Sequence, residues 1–67
     1  MDLKTYFDSI PLNERELVAE KAGTKWVYVS QIIRGWRKPS TELAQKLHEV
    51  SNGKVPLSSM RPDVWAV

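Results

Sequence analysis

The 67-residue sequence contains no cysteine. Disulfides and zinc-thiolate sites are therefore excluded, and a reducing cytoplasm suits the chain. No apolar run approaches the roughly 18 residues of a membrane span, so no membrane association is expected. The opening Met1-Asp2-Leu3-Lys4 lacks the charged-then-apolar order of a signal peptide. The lone histidine, His48, has no partner at metal-ligand spacing and reads as a surface residue. Asp, Glu and Ser form no catalytic constellation, and so short a chain can hardly enclose an enzyme's deep pocket. No catalytic residue, metal or cofactor is expected. Repeats, low-complexity tracts and linkers are also missing, so residues 1–67 read as one domain with one core.

One further absence is local. Residues 21–38 hold Lys21, Lys25, Arg34, Arg37 and Lys38 and no acid, a charge of +5. Residues 1–20 sum to −3 and residues 39–67 to zero. The modest net charge of +2 thus hides a concentrated basic segment. Such a segment is the electrostatic footprint of a polyanionic partner.

What is present is a succession of short helical signals. Leu3, Phe7 and Ile10, with Tyr6 beside them, have helical spacing, so residues 2–9 form a first helix that Pro11 ends. Asn13 is the expected N-cap of a second helix, with Glu14 and Glu16 at its positive end. Leu17, Val18 and Ala22 form its expected inward stripe, and Gly23 the left-handed residue after it. A third helix spans about residues 25–34, with Thr24 as its cap and Gly35 closing it. Ser40 caps a fourth helix whose apolar stripe is Leu43, Ala44, Leu47, Val50 and Ser51. Glu42 and Lys46 are spaced to pair on its surface. Asn52-Gly53 stops it. In the tail, residues 54–67, Leu57 to Met60 could make one helical turn. Trp65 either folds back over the core or, with Val64 and Val67, forms a dimer contact.

Helices two and three compose a helix-turn-helix over about residues 14–35. Ala19 is the small residue where the helices cross, Gly23 permits the turn, and Val29 and Ile32 anchor the third helix. The expected fold is all-α, with four to five helices. At about 100° per residue, Ile32 and Ile33 join Val29 on the inner side of helix three. Val27, Ser30, Gln31 and Arg34 share the outer arc. Gln31 can bond bidentately to adenine, Arg34 to guanine or phosphate, and Val27 can touch a thymine methyl. Ser30 and Lys25 can reach base or phosphate. Arg37, Lys38 and Arg15 are expected on phosphates, with the Tyr28 hydroxyl. Trp26, at the edge of the stripe, packs either on the core or against DNA. Trp36 is expected to pin its loop to the domain.

These residues also resemble a known group. Ala19, the Gly23 turn, Tyr28-Val29-Ser30-Gln31-Ile32, the Gly35-to-Ser40 loop with Arg37 and Pro39, and Leu43-Ala44 carry the likeness. The chain resembles the lambda-repressor-like superfamily, and within it the Cro-type phage regulators and Cro-like DNA-binding antitoxins of the YdaS type. Met60-Arg61-Pro62-Asp63-Val64-Trp65 is similar to an ending common in that group. The chain departs from it at two places: Thr24 stands where a hydrophobic residue is usual, and Lys25-Trp26 where a small polar start is usual. The resemblance implies a repressor that binds a palindromic double-stranded DNA operator as a weak homodimer. It places Lys25, Trp26, Val27, Ser30, Gln31 and Arg34 at base-contact positions. It also implies a cytoplasmic, nucleoid-associated protein of a bacterial or phage-infected cell, and a toxin protein as partner if the role is that of an antitoxin. A protein-interaction module without DNA remains the other class of reading, against which the acid-free segment argues.

Overall fold

The computed structural model describes residues 1–65 and shows five helices among them. They are α1 (Leu3–Asp8), α2 (Leu12–Lys21), α3 (Trp26–Ile33), α4 (Thr41–Val50) and α5 (Leu57–Met60). No strand occurs among the described residues. The architecture is the expected all-α one, α2 packing on α3 and α4, and α4 on α5.

Local chemistry explains most helix ends. The Asp2 carboxylate accepts from Thr5 N–H at 2.8 Å and opens α1. The Ser40 hydroxyl accepts from Leu43 N–H at 3.1 Å and opens α4, as expected. At the other ends, α2 and α3 finish in the same glycine-based motif. After α2, Gly23 N–H bonds Glu20 O and Thr24 N–H bonds Ala19 O. After α3, Gly35 N–H bonds Ile32 O and Trp36 N–H bonds Gln31 O. Gly23 and Gly35 have φ of +78° and +82°, where a side chain would be strained.

The core gathers Leu3 and Phe7 of α1, Ala19 and Ala22 around the end of α2, Val29 of α3, Ala44 and Leu47 of α4, Val55 and Met60. Ile32 and Ile33, expected beside Val29, are half-buried and pack against this cluster. Ala19 is fully buried, as the close crossing of α2 requires.

Several expectations need correction. Helix α2 starts at Leu12, directly after Pro11, so Asn13 lies inside its first turn and is not the cap. Pro11 suits the start because its fixed φ leads into the helix and it has no N–H to satisfy. Leu17 is 54% exposed, not inward. The buried arc of α2 is centred on Ala19, and two residues back turns Leu17 about 200° away from it. Thr24 does not cap α3. The cap position is Lys25, with no side-chain bond of its own. Trp36 does not pin its loop: it is 69% exposed. Glu42 and Lys46 form no ion pair, and the Lys46 ammonium lies beside Gly23 instead. His48 is half-buried rather than free on the surface, and its Nδ1 bonds Val55 O at 2.8 Å.

That histidine belongs to a small polar knot. Ser51, buried after α4, donates to His48 O at 2.9 Å and accepts from Val55 N–H at 3.1 Å. The knot draws Val55 into the core. Every buried side-chain polar atom among the described residues has a partner, as buried groups require.

Candidate nucleic-acid interface

Helix α3 is anchored through its inner side and open on its outer one. Val29 is fully buried, whereas Val27, on the opposite arc, is 60% exposed. The start of the helix is held from a distance. Glu16 of α2 accepts from Trp26 N–H at 3.2 Å, placing a carboxylate at the positive end of α3. One acidic residue thus ties α2 to the start of α3.

The outer arc brings together Val27, Ser30, Gln31 and Arg34. Ser30 is half-buried and its hydroxyl donates to Val27 O at 2.7 Å. Arg34 is exposed, and its guanidinium lies 5.2 Å from the Trp36 ring centroid. Gln31 is half-buried and accepts, through Oε1, from Arg37 Nε–H at 2.6 Å. The same Arg37 guanidinium lies 5.5 Å from the Tyr28 ring centroid. The turn after Gly35 causes this meeting: its two backbone bonds fold the chain back onto the last turn of α3. Lys25 and Lys38 are exposed, one just before α3 and the other in the loop after it.

Two of the residues singled out in the sequence lie elsewhere. Trp26 is half-buried, its ring 5.2 Å from that of Phe7. Arg15 is also half-buried, donating to Ile10 O at 2.9 Å with its guanidinium 5.4 Å from the Trp26 ring centroid. These two build a shoulder between α1, α2 and the start of α3. In the tail, Trp65 is half-buried and packs against the core, while Val64 is exposed. Val67 lies outside the described residues.

Sequence reasoning missed one element of the site. Arg61 donates through Nη1 to Pro39 O at 3.0 Å, at the end of the basic loop. Its Nε and Nη2 grip Asp63 in a two-pronged pair at 3.0 and 2.9 Å. This fork holds the Asp63 carboxyl at about 2, below its ordinary 3.8. The Arg-Pro-Asp spacing carried the signal for the pair, but its attachment to Pro39 crosses 22 residues.

A two-helix motif with a small crossing residue, a glycine turn and an open, acid-free outer arc defines a helix-turn-helix domain. No protein-family model matches the chain, and no solved structure does. A prophage transcriptional regulatory protein of Escherichia coli (strain K12) is 32% identical over 63 residues. The alignment covers 94% of this chain and 96% of that relative. The chain belongs to the family of this prophage transcriptional regulator.

Proposed function

We propose that the protein is a sequence-specific, double-stranded DNA-binding repressor of Cro type. Helix α3 enters the major groove of an operator, and two copies occupy half-sites about one helical turn, roughly 34 Å, apart. The observation that carries this reading is the open arc of α3, Val27, Ser30, Gln31 and Arg34, set inside the acid-free +5 segment. Gln31 and Arg34 read base edges. Ser30 and Lys25 reach base or phosphate, and Val27 meets a thymine methyl, while Trp26 supports the start of α3 from the core side. Lys38, Arg37 and the Tyr28 hydroxyl hold the backbone. Exposed Val64 is available to a second copy, and the protein acts in the cytoplasm where the DNA is.

The existing surface pairs favour this assignment energetically. An exposed cation–aromatic contact is worth about 0.5–1 kcal/mol. A good base contact discriminates by about 1–3 kcal/mol. The exposed Arg34–Trp36 contact is weak enough for Arg34 to exchange it for DNA.

The test is a titration of the purified chain against the DNA upstream of its own gene, with random duplex as control, at two salt concentrations. Tighter binding to the upstream DNA supports an autoregulating repressor. Lys38→Ala is expected to weaken all sequences alike and to shallow the salt slope by about 1. Equal, strongly salt-dependent binding to both duplexes places the operator elsewhere. No binding to either at low salt overturns the reading and turns the search to protein partners, a toxin among them.

A further inference from the structure

Gln31 lies on the outer arc, yet its carboxamide is not free. Oε1 accepts from Arg37 Nε–H at 2.6 Å. Arg37 is itself held, with its guanidinium carbon 5.5 Å from the Tyr28 ring centroid. The backbone leading to Arg37 is set by Gly35 and by the bond from Trp36 N–H to Gln31 O at 2.9 Å. Three side chains from one helical turn and its closing loop therefore form a single unit. Among the described residues Arg37 uses only Nε in a hydrogen bond, so both terminal nitrogens remain available to a phosphate.

Building on the DNA-binding function above, we propose that Arg37 is a positioning residue that holds the Gln31 carboxamide with its NH2 turned outward, so that Gln31 reads its base as a donor. A free glutamine can satisfy adenine with an acceptor and a donor together. Here the acceptor is engaged by a charged donor, the stronger kind of hydrogen bond. What faces the groove is NH2, which suits guanine, whose N7 and O6 are both acceptors. Arg37 thereby links backbone to base: the residue that grips a phosphate also sets the amide that inspects the base pair.

A fixed amide also costs less to order on binding than a free one. Lysine at position 37 keeps the charge but has neither the Nε–H donor nor the planar face that stacks on tyrosine. Arg37→Lys therefore separates positioning from charge.

The experiment is selection from a randomised duplex pool with the wild-type chain, Arg37→Lys, Gln31→Ala and the double variant, with affinities measured on the selected site, on that site changed at one base pair and on random duplex. The wild-type motif is expected to specify guanine at one position in each half-site. Gln31→Ala is expected to lose about tenfold in discrimination there. Arg37→Lys is expected to lose discrimination at that same position, read as the ratio of affinities for the selected site and for the same site changed at that one base pair, so that any change in phosphate grip cancels. The double variant should lose no more than Gln31→Ala alone, since both changes remove one contact.

An Arg37→Lys motif identical to the wild-type motif overturns the positioning role and leaves DNA reading intact. So does a uniform loss on every sequence, which would make Arg37 a backbone contact only. Adenine specified at the Gln31 position overturns the donor presentation. A wild-type chain that enriches no sequence overturns the DNA reading itself, and this proposal with it.

Discussion

Polar side chains are used in opposite ways on the two sides of the molecule. Around the end of α4, Ser51 and His48 bond to backbone groups, Val55 N–H, Val55 O and His48 O, within or beside the core. Around α3, Gln31, Arg34 and Arg37 bond or stack on other surface side chains. The first arrangement fixes the chain, because breaking it strands a buried group. The second fixes no backbone: its contacts lie where water or a ligand can reach them, and what they set is the direction of side chains. A domain this small is marginal, and it keeps its irreplaceable polar bonds away from the face proposed to meet DNA.

If the two sides are independent, a core change should alter stability and leave DNA preference alone. Leu47→Ala should cost about 2–5 kcal/mol, since Leu47 is almost fully buried and a cavity would remain. Thermal melting is the check, and folded molecules at low temperature should keep the wild-type preference for DNA. A changed preference would mean that the two sides are not independent.

Ser51→Ala should cost about 1–3 kcal/mol by leaving Val55 N–H buried without its acceptor. Hydrogen exchange at the Val55 amide would report the local opening directly. If that amide stays protected and melting is unchanged, the knot is not the anchor described here.

Gly35→Ala probes the hinge between the sides. No atom would touch the added methyl group, so any loss comes from the backbone φ of +82°. The expected cost is about 1–2 kcal/mol. Unlike the two core changes, it should also disturb selectivity, because the turn carries Arg37 to Gln31. Stability lost with selectivity intact would show that the turn is only a stop signal.

The smallest effect concerns Asp63. Its carboxyl, held at about 2 by the Arg61 fork, sits below its ordinary 3.8. The stability it lends is complete above 3.8 and is lost as pH falls through about 2. The pair is partly exposed, and solvent screens it, so the effect is modest. Melting curves of the wild type and Asp63→Asn should converge toward pH 2 and separate slightly above pH 4. Equal melting at neutral pH would leave Arg61 tethered to Pro39 alone.

Much of this molecule was legible in the sequence because the rules involved act over one or two turns. The Ser40 cap, the glycines at positions 23 and 35, buried Ala19 and Val29, and the turn at Leu57–Met60 each follow from neighbours along the chain. The outer arc of α3 follows from helical rotation about Val29. Other features depended on residues that meet only after folding. Glu16 caps α3 from ten residues away, so the sequence suggested Thr24 instead. Leu17 faces outward because the close crossing at Ala19 sets the rotation of α2, which no single helix can dictate. His48 turns inward because Ser51 and Val55 draw a loop over it. The Gln31–Arg37 pair spans six residues across a left-handed turn. Sequence determined the helices, the glycine stops, the Ser40 cap and the basic segment, since those arise from backbone propensity and charge count. Tertiary structure decided which side chains are held and which are free, since that depends on distances in space rather than along the chain.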